Sequence, residues 1–256
     1  MNKEKPDYGF TAIRYFIGIT ICGVIGTCIM VLTSLFIEAP ISIFIYTISL
    51  PITISTFYIG FSYIPLYYSI LRSTPIKEIW NYILTDFKGD ERVLDIGCGT
   101  GRVSINIAKC IISGKVIGID IYNGVSGNSP DKAYKNAEIE AVKSKVEFNY
   151  GNVMNIPYPD NSFDLVTAGS VLHELHDDKD KLAALNEIYR VLKPGGKFVT
   201  IEILRDKRLY LSLLYFAFVW KTKKFWENLF SNSQFNNQIS KDYTRFLNLG
   251  IFFTWK

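Results

Sequence analysis

Two uninterrupted apolar runs dominate the first third of the chain. Residues 15–37 contain no charged side chain, and after the short link 38–40 a second uncharged run covers residues 41–71. About 20 apolar residues in a helix cross the roughly 30 Å hydrocarbon core of a bilayer. We therefore predict a two-helix transmembrane hairpin over 15–71, with spans at about 15–37 and 41–63.

The second apolar run carries two prolines and a group of tyrosines. Pro51 is expected to kink the span and Pro65 to mark its exit from the bilayer. The tyrosines gather at the far end, as in the aromatic belt of a headgroup region. They are Tyr58, Tyr63, Tyr67 and Tyr68. A signal peptide has a shorter apolar core and no second span, whereas two helices buried in a soluble protein stay open as the alternative.

Basic residues flank the two spans unevenly. Three precede the first span, none lies in the link, and two follow the second span; they are Lys3, Lys5, Arg14, Arg72 and Lys77. Cytoplasmic segments carry an excess of Lys and Arg. The tail 1–14, both termini and the region after the hairpin are therefore predicted to be cytoplasmic in an integral membrane protein.

Beyond residue 75 the pattern changes to short apolar strands that alternate with amphipathic helices. Ser129 and Pro130 suit the N-cap and first turn of one helix. Strand and helix in alternation predict an α/β fold with a doubly wound, mostly parallel sheet, which binds ligands at the carboxyl ends of its strands. The predicted strands are 92–97, 115–121, 146–150, 163–169 and 197–204, and the predicted helices are 75–87, 101–112, 130–144 and 181–192.

The stretch "VLDIGCGTGR" (93–102) forms a glycine turn after the first of these strands. It departs from a dinucleotide fingerprint because Arg102 replaces the third glycine, and because Asp95 would repel a pyrophosphate. Asp95 suits a cofactor with an ammonium group and no phosphate, such as S-adenosylmethionine. Asp120, 19 residues after Gly101, is placed to accept from both ribose hydroxyls.

With these residues the segment from about 91 to 206 resembles the class I S-adenosylmethionine-dependent methyltransferases related to quinone and sterol methyltransferases. Four blocks carry the resemblance: "VLDIGCGTG", "VIGIDI", "GNVMNIPYPDNSFDLVTAGSVLHEL" and "EIYRVLKPGGKFVTIE". The resemblance implies a Rossmann-like methyltransferase domain over 75–256 with S-adenosylmethionine as its cofactor.

The resemblance also implies roles for individual residues around the cofactor. Asp95 would hold the methionine ammonium through the glycine turn or a water, and Asp120 would bind the ribose. Ile121 would pack on the adenine. The backbone of four turn residues would lie against the cofactor: Gly97, Cys98, Gly99 and Gly101.

Further residues of the resembled site follow the third and fourth strands. Asn152 stands where the family usually has an acid that accepts from the adenine amine, and an amide oxygen can still accept. Val153 would donate its backbone N–H to the adenine. Ala168 and Gly169 would line the methionine.

The segment "LHELHDD" (172–178) holds the candidates for a catalytic base. Methyl transfer needs a base only where the nucleophile must lose a proton. His173 occupies a position where the resembled family often has histidine, so a catalytic or substrate-facing role stands beside a structural, hydrogen-bonded one. The spacing to His176 is one residue short of a zinc signature, and no metal site is predicted.

The C-terminal part departs from the resembled family. Residues 207–235 contain an apolar stretch at 209–220 followed by basic and aromatic residues, which suits a membrane-surface helix, a lid or an ordinary core helix. Residues 241–250 are interpreted as a helix and 251–256 as a single strand. The sheet would then lack its last strand.

Composition adds only mild constraints. A formal net charge of +4 and the absence of nucleic-acid signatures give no reason to expect a nucleic-acid partner. The four cysteines lack metal-ligand spacing and are expected to be free thiols in a reducing compartment.

Three functions stay open from the sequence. The first is membrane-anchored methylation of a lipid-phase acceptor such as a quinone, an isoprenoid or sterol-like lipid, or a phospholipid amine. The second is methylation of a soluble small molecule or protein, with the hairpin only a tether. The third is non-catalytic binding of S-adenosylmethionine.

Overall fold

A computed structural model describes residues 4–8, 12–72, 83–84, 87–123, 128–235, 237–244 and 248–256. The helix predicted over 75–87 lies largely outside the described residues. The chain divides into two compact units. One contains Met1–Gly9, Thr74–Asp206 and Val219–Lys256, and the other contains Phe10–Ser73 and Lys207–Phe218.

The described helices are named in chain order. They are α1 (Ala12–Phe36), α2 (Ala39–Arg72), α3 (Arg102–Ala108), α4 (Pro130–Ile139), α5 (Asp178–Val191), α6 (Lys207–Leu213) and α7 (Lys223–Ser231). The strands are β1 (Arg92–Ile96), β2 (Lys115–Asp120), β3 (Val146–Tyr150), β4 (Phe163–Gly169), β5 (Leu192–Ile203), β6 (Asn237–Thr244) and β7 (Asn248–Trp255).

The first unit contains a seven-stranded sheet in the order β3-β2-β1-β4-β5-β7-β6. The first five strands in this order are parallel, and β7 pairs antiparallel with both β5 and β6. The strand order reverses between β1 and β4, which places the ligand-binding crevice at their carboxyl ends. The predicted doubly wound, mostly parallel α/β sheet is confirmed.

Residues of β1 enter two different hydrophobic clusters. Leu94 and Ile96 of β1 belong to the cluster that also contains residues of α5 and α7, whereas Val93 belongs to the cluster with residues of α3 and α4. Side chains of a strand alternate between its two faces, and a parallel sheet is covered by helices on both. This explains why the strands read as short continuous apolar runs.

The C-terminal end of the sheet corrects the sequence interpretation. Residues 237–244 form β6 and pair along their whole length with β7, so the sheet has its last strand. The helix predicted over 241–250 is wrong for its described residues 241–244 and 248–250, which lie in β6 and β7. The interpretation failed because β6 is a polar edge strand with the sequence "NQISKDYT". Charged side chains are common on edge strands, where they discourage pairing with other chains, and they hide the apolar alternation.

The boundaries of several other elements differ from their predicted places. The strand predicted over 197–204 begins at Leu192 and ends at Ile203. Ser129 caps α4 as predicted, since its hydroxyl accepts from the Lys132 amide at 3.2 Å. The helices after the glycine turn and after Ser129 are shorter than predicted, ending at Ala108 and Ile139.

The second unit consists of the helical hairpin α1–α2 together with α6. α2 continues through Pro51 and Pro65 to Arg72. Among the residues that the structure describes, two helices are long and apolar enough to cross a membrane, with candidate spans Ile17–Phe36 and Ala39–Ser62. By themselves, length and composition are weak evidence of a membrane span.

The two long helices contact each other through glycine and threonine. A Cβ placed on Gly23 would lie 2.8 Å from the Thr56 Oγ1, and one on Gly26 would lie 2.7 Å from the Thr53 Oγ1. Small residues let helix backbones approach closely, the usual way helices associate in lipid. In the same unit the Tyr58 hydroxyl donates to the Leu211 carbonyl of α6.

Candidate active site

The glycine turn connects β1 to α3 at the carboxyl edge of the sheet. Gly97, Gly99 and Gly101 have φ values of +63°, +52° and +81°, a region that L side chains rarely adopt. The Gly97 and Cys98 amides donate to the Ile119 carbonyl of β2 at 2.8 and 3.1 Å. The turn is therefore fixed to the neighbouring strand with its backbone uncovered by its own side chains.

Asp95 lies beneath this turn and is 1% exposed. Its two oxygens accept from the Ser104 hydroxyl at 2.5 Å and from the Thr167 hydroxyl at 2.9 Å. Burial raises the pKa of Asp95 to about 6, although the bonds from Ser104 and Thr167 lower it. The carboxyl group thus joins β1, α3 and β4, and it can act on a bound cofactor only through the turn it supports.

Asp120 ends β2 and is half-buried beside the turn. One of its oxygens accepts from the Gly99 amide at 2.9 Å and the other from the Tyr122 amide at 2.8 Å. A carboxylate has about four acceptor positions, so two are left for a pair of neighbouring hydroxyls. The side chain of Ile121, 45% exposed, follows directly and offers an apolar surface next to them.

The loop after β3 reaches the same edge. The Gly151 amide donates to the Asp120 carbonyl at 3.0 Å, and the Asn152 Oδ1 accepts from the Met154 amide at 2.9 Å. Val153 is buried. Asn152 and Val153 thus follow the strand next to Asp120, where the sequence predicts contacts to an adenine.

Cys98 and the end of β4 complete the predicted cofactor-binding set. The Cys98 sulfur lies 3.3 Å from the Tyr122 hydroxyl, and burial raises the pKa of the thiol. It is therefore protonated and a poor nucleophile. Ala168 is buried and Gly169 half-buried at the carboxyl end of β4, beside β1.

These features fit S-adenosylmethionine in three respects. The glycine turn presents backbone at the carboxyl ends of the strands, a half-exposed carboxylate can accept from ribose hydroxyls, and apolar groups are available for an adenine. The buried acid under the turn disfavours a phosphate at that position.

His173 lies in a short 3-10 turn, Leu172–Glu174, after β4. Its Nδ1 is 2.9 Å from the Glu202 Oε2, and their side chains are 12% and 0% exposed. The other oxygen of Glu202 accepts from the Leu172 amide at 3.0 Å and the Val171 amide at 3.3 Å. The structure therefore places His173 on a buried carboxylate that also holds the turn.

Sequence reasoning missed Glu202. One signal was available: an acid inside the apolar strand "FVTIEIL" needs a partner, because a buried charge is rarely left unpaired. The partner could not be chosen from the sequence, since His173 is 29 positions away.

Several charged groups act on the His173 imidazole. Burial and the charge of Lys181 lower the pKa of His173. The hydrogen bond and charge of Glu202 and the charge of Glu174 raise it, and the net pKa shift is upward. Lys181 of α5 is buried and donates to the carbonyls of Leu175 and His176. It therefore fixes the chain just after the turn.

A segment that precedes α1 contacts α4 and is linked to the glycine turn. We call residues 4–8 the N-terminal strap. The Asp7 amide donates to the Asn136 Oδ1 at 2.8 Å, and the Asn136 Nδ2 donates to the carbonyls of Asp7 at 2.9 Å and Thr100 at 3.0 Å. Salt bridges join Asp7 to Lys132 and Glu4 to Lys135. The strap is thus tied through one buried amide to the glycine turn.

Comparison with known proteins identifies the family to which the chain is similar. Residues 68–246, more than half of the chain, match the ubiE/COQ5 methyltransferase family. A demethylmenaquinone methyltransferase of Symbiobacterium thermophilum is 34% identical over 139 residues, which cover 54% of this chain and 52% of that protein. One of Lactiplantibacillus plantarum is 43% identical over 111 residues, covering 43% and 44%. The chain spans about half the length of the curated relatives it matches.

Solved structures share the fold. A SAM-dependent methyltransferase from Methanosarcina mazei has a TM-score of 0.57 at 24% identity, covering 68% of this chain and 96% of that one. A cyclase, SpnF, has the same TM-score of 0.57 at 19% identity, covering 70% and 81%. Likeness at this identity establishes the fold alone, and the cyclase illustrates that one fold serves different reactions.

Proposed function

The chain belongs to the ubiE/COQ5 methyltransferase family, and on that premise we propose that it transfers a methyl group from S-adenosylmethionine to a quinone-like ring carried by a membrane lipid. The acceptor class is suggested by relatives named demethylmenaquinone methyltransferase. S-adenosylmethionine as cofactor is supported by the family and by SAM-dependent methyltransferases among the structural neighbours.

In this proposal the residues at the carboxyl edge of the sheet divide the binding of the cofactor. Asp120 accepts from the ribose hydroxyls, and Ile121, Asn152 and Val153 surround the adenine. The glycine turn, held by Asp95, and the end of β4 at Ala168 and Gly169 contact the methionine part. The bound cofactor supplies an electrophilic methyl group, and the chain supplies position and a site from which water is excluded.

The observation that carries the lipid-phase acceptor is the exposure of the two apolar helices. Only 6% and 17% of the residues in the candidate spans are buried. Side chains such as Leu35, Phe36 and Phe44 are 68%, 82% and 68% exposed. A core helix of a soluble protein buries its apolar residues, and a patch of this size on a soluble surface would drive association. Insertion of the hairpin in a bilayer removes the conflict.

The N-terminal strap supports the proposed membrane orientation. Residues 4–8 precede α1 and contact α4, which belongs to the sheet domain. A tail bound to that domain lies on the same side of a membrane as the domain, which requires an even number of spans between them. Two spans meet this condition, and the basic residues around them favour the cytoplasmic side.

The test uses full-length protein in lipid vesicles with S-adenosylmethionine labelled in its methyl group. Two acceptors are compared: a reduced naphthoquinone with an isoprenoid tail and the same ring without the tail. We expect label in the tailed quinol with a higher kcat/KM, because the tail places the ring in the bilayer phase. Equal use of both rings would favour a soluble acceptor with the hairpin as a tether. Cofactor binding without any product would contradict catalysis.

A further inference from the structure

The contacts of Glu202 determine which nitrogen of His173 carries a proton. One oxygen of Glu202 accepts from two backbone amides, and an ionised carboxylate only accepts hydrogen bonds. At 2.9 Å from the Glu202 Oε2, the His173 Nδ1 must therefore be the donor. In the neutral ring this leaves Nε2 as the acceptor, with a lone pair. The other Glu202 oxygen is held by the amides of Val171 and Leu172, so the carboxylate is itself fixed.

The same turn lies against the cofactor-binding backbone. A Cβ placed on Gly97 would lie 2.2 Å from the Val171 Cγ2. Val171 therefore packs directly on the glycine turn, and His173 follows two residues later. The imidazole is 12% exposed, which leaves it accessible in part. The turn that carries His173 therefore contacts the glycine turn of the predicted cofactor site.

Trp220 adds a second feature beside the imidazole. Its ring lies 6.2 Å from the His173 ring with an angle of 34° between the planes. Within the described part of the chain, its buried indole N–H has no hydrogen-bond partner. An unmet buried donor is destabilising, and an oxygen of a bound planar ring would satisfy it.

We propose that Glu202 is a positioning residue. It fixes the Nδ1–H tautomer of His173 and so makes His173 Nε2 the general base that removes a ring hydroxyl proton from the acceptor. This rests on the methyl transfer to a quinol proposed above.

The step balances within these groups. The hydroxyl proton moves to His173 Nε2, and its electron pair is delocalised into the ring. The bond from the ring carbon or oxygen to the methyl carbon forms as the methyl–sulfur bond breaks, leaving a neutral thioether. For transfer to carbon, the ring carbon's own proton leaves afterwards to solvent. The imidazolium formed on His173 is stabilised by the Glu202 carboxylate.

The experiment compares the full-length protein with Glu202→Gln. Glutamine keeps an oxygen for the Val171 and Leu172 amides but offers an N–H to His173. The histidine must then accept at Nδ1 and carry its proton on Nε2, so the base is lost. General bases contribute about 10²- to 10⁴-fold. We expect a loss of kcat in that range on the tailed quinol, with unchanged cofactor affinity and partial rescue in Glu202→Asp.

The pH profile separates this role from a merely structural one. Glu202 on β5 and Glu174 on the turn raise the pKa of His173, while burial and Lys181 on α5 lower it. The wild-type rate should fall as the pH drops through the raised His173 pKa, because the imidazolium is not a base. In Glu202→Gln this acidic limb should vanish or move to lower pH. Glu187→Gln is the matched control, since Glu187 also accepts from a backbone amide but pairs with Arg190.

A second measurement does not depend on turnover. The chain has two histidines, so in a His176→Gln background the imidazole ¹⁵N spectrum reports His173 alone. The Nδ1–H tautomer is expected in wild type and the Nε2–H tautomer in Glu202→Gln. An unchanged tautomer, or an unchanged kcat and pH profile in Glu202→Gln, overturns the proposal. A wild type that binds cofactor but methylates no quinol instead contradicts the proposed function, and the tautomer still decides the positioning role.

Discussion

Substituting Gly97 with alanine tests the geometry of the glycine turn. The residue has a φ of +63°, and an added Cβ would lie 2.2 Å from one methyl of Val171 and 2.8 Å from the other. Two penalties therefore act together: an L residue in a left-handed conformation, and a methyl group forced into a filled space. Both fall on the turn that is proposed to contact the cofactor.

The size of the effect follows from these two terms. A left-handed L residue costs about 1–2 kcal/mol, and overpacking costs about 1–3 kcal/mol. Gly97→Ala should therefore lower the free energy of unfolding by about 2–5 kcal/mol. Each kcal/mol corresponds to about 2–4 °C in Tm for a protein of this size. Movement of the turn away from Val171 should also weaken cofactor binding.

Gly195→Ala is the matched control. Gly195 has a φ of +78° but nothing within 4 Å of an added Cβ. It carries the backbone penalty alone, so the difference between the two variants measures the clash. Thermal unfolding and calorimetric titration with S-adenosylmethionine are the assays. In Gly97→Ala, Val171→Ala should restore part of the stability because it removes both methyls. Equal Tm values for the two glycine variants, with wild-type cofactor affinity in both, would refute the reasoning.

Three further predictions concern other parts of the chain. Burial raises the Asp95 pKa from 3.8 to about 6. The protonated Asp95 side chain therefore contributes its full stabilisation of the folded state below pH 3.8, and this contribution is lost as the pH rises through about 6. Above that pH range, the free energy of unfolding of Asp95→Asn should rise by up to about 3 kcal/mol relative to wild type, measured with denaturant. A difference in unfolding free energy between variant and wild type that stays constant with pH would contradict this. Gly26→Leu should drive its side chain into Thr53 and lower the Tm in micelles, whereas Gly18→Leu, with open space around it, should not; equal effects would exclude the proposed helix contact. Asn136→Ala should release the N-terminal strap and speed its proteolysis, and wild-type resistance would show that the amide does not hold it.

The strands of the sheet were predictable because their signals are local. The predicted strands 146–150 and 163–169 are bounded by turn residues and match β3 and β4 to the residue. The cap at Ser129 is equally local, since a hydroxyl and the following proline define a helix start. In each case the residues that determine the element lie within it.

The site was predictable only where a motif is contiguous. The glycine turn and Asp120 follow single strands, so their position at the sheet edge could be inferred from the fold. The dyad of His173 and Glu202 joins the ends of two strands, and the contact between the strap and Asn136 joins residues 129 positions apart. Such pairs depend on tertiary packing, which periodicity does not encode. The edge strand β6 was missed for a related reason. It is stabilised by its pairing with β7, and those of its side chains that the structure describes form no buried apolar face that a sequence pattern could reveal.

The central claim is methyl transfer to a lipid-borne quinol from a cofactor held by the glycine turn and Asp120. The most direct measurement is mass spectrometry of a tailed hydroquinone in vesicles after incubation with full-length protein and S-adenosylmethionine, beside Asp120→Asn. The account predicts a product heavier by one methyl group with wild type and a severe loss of product and of cofactor affinity in the variant. An unmethylated quinol under wild type with bound cofactor, or undiminished methylation by Asp120→Asn, would contradict it.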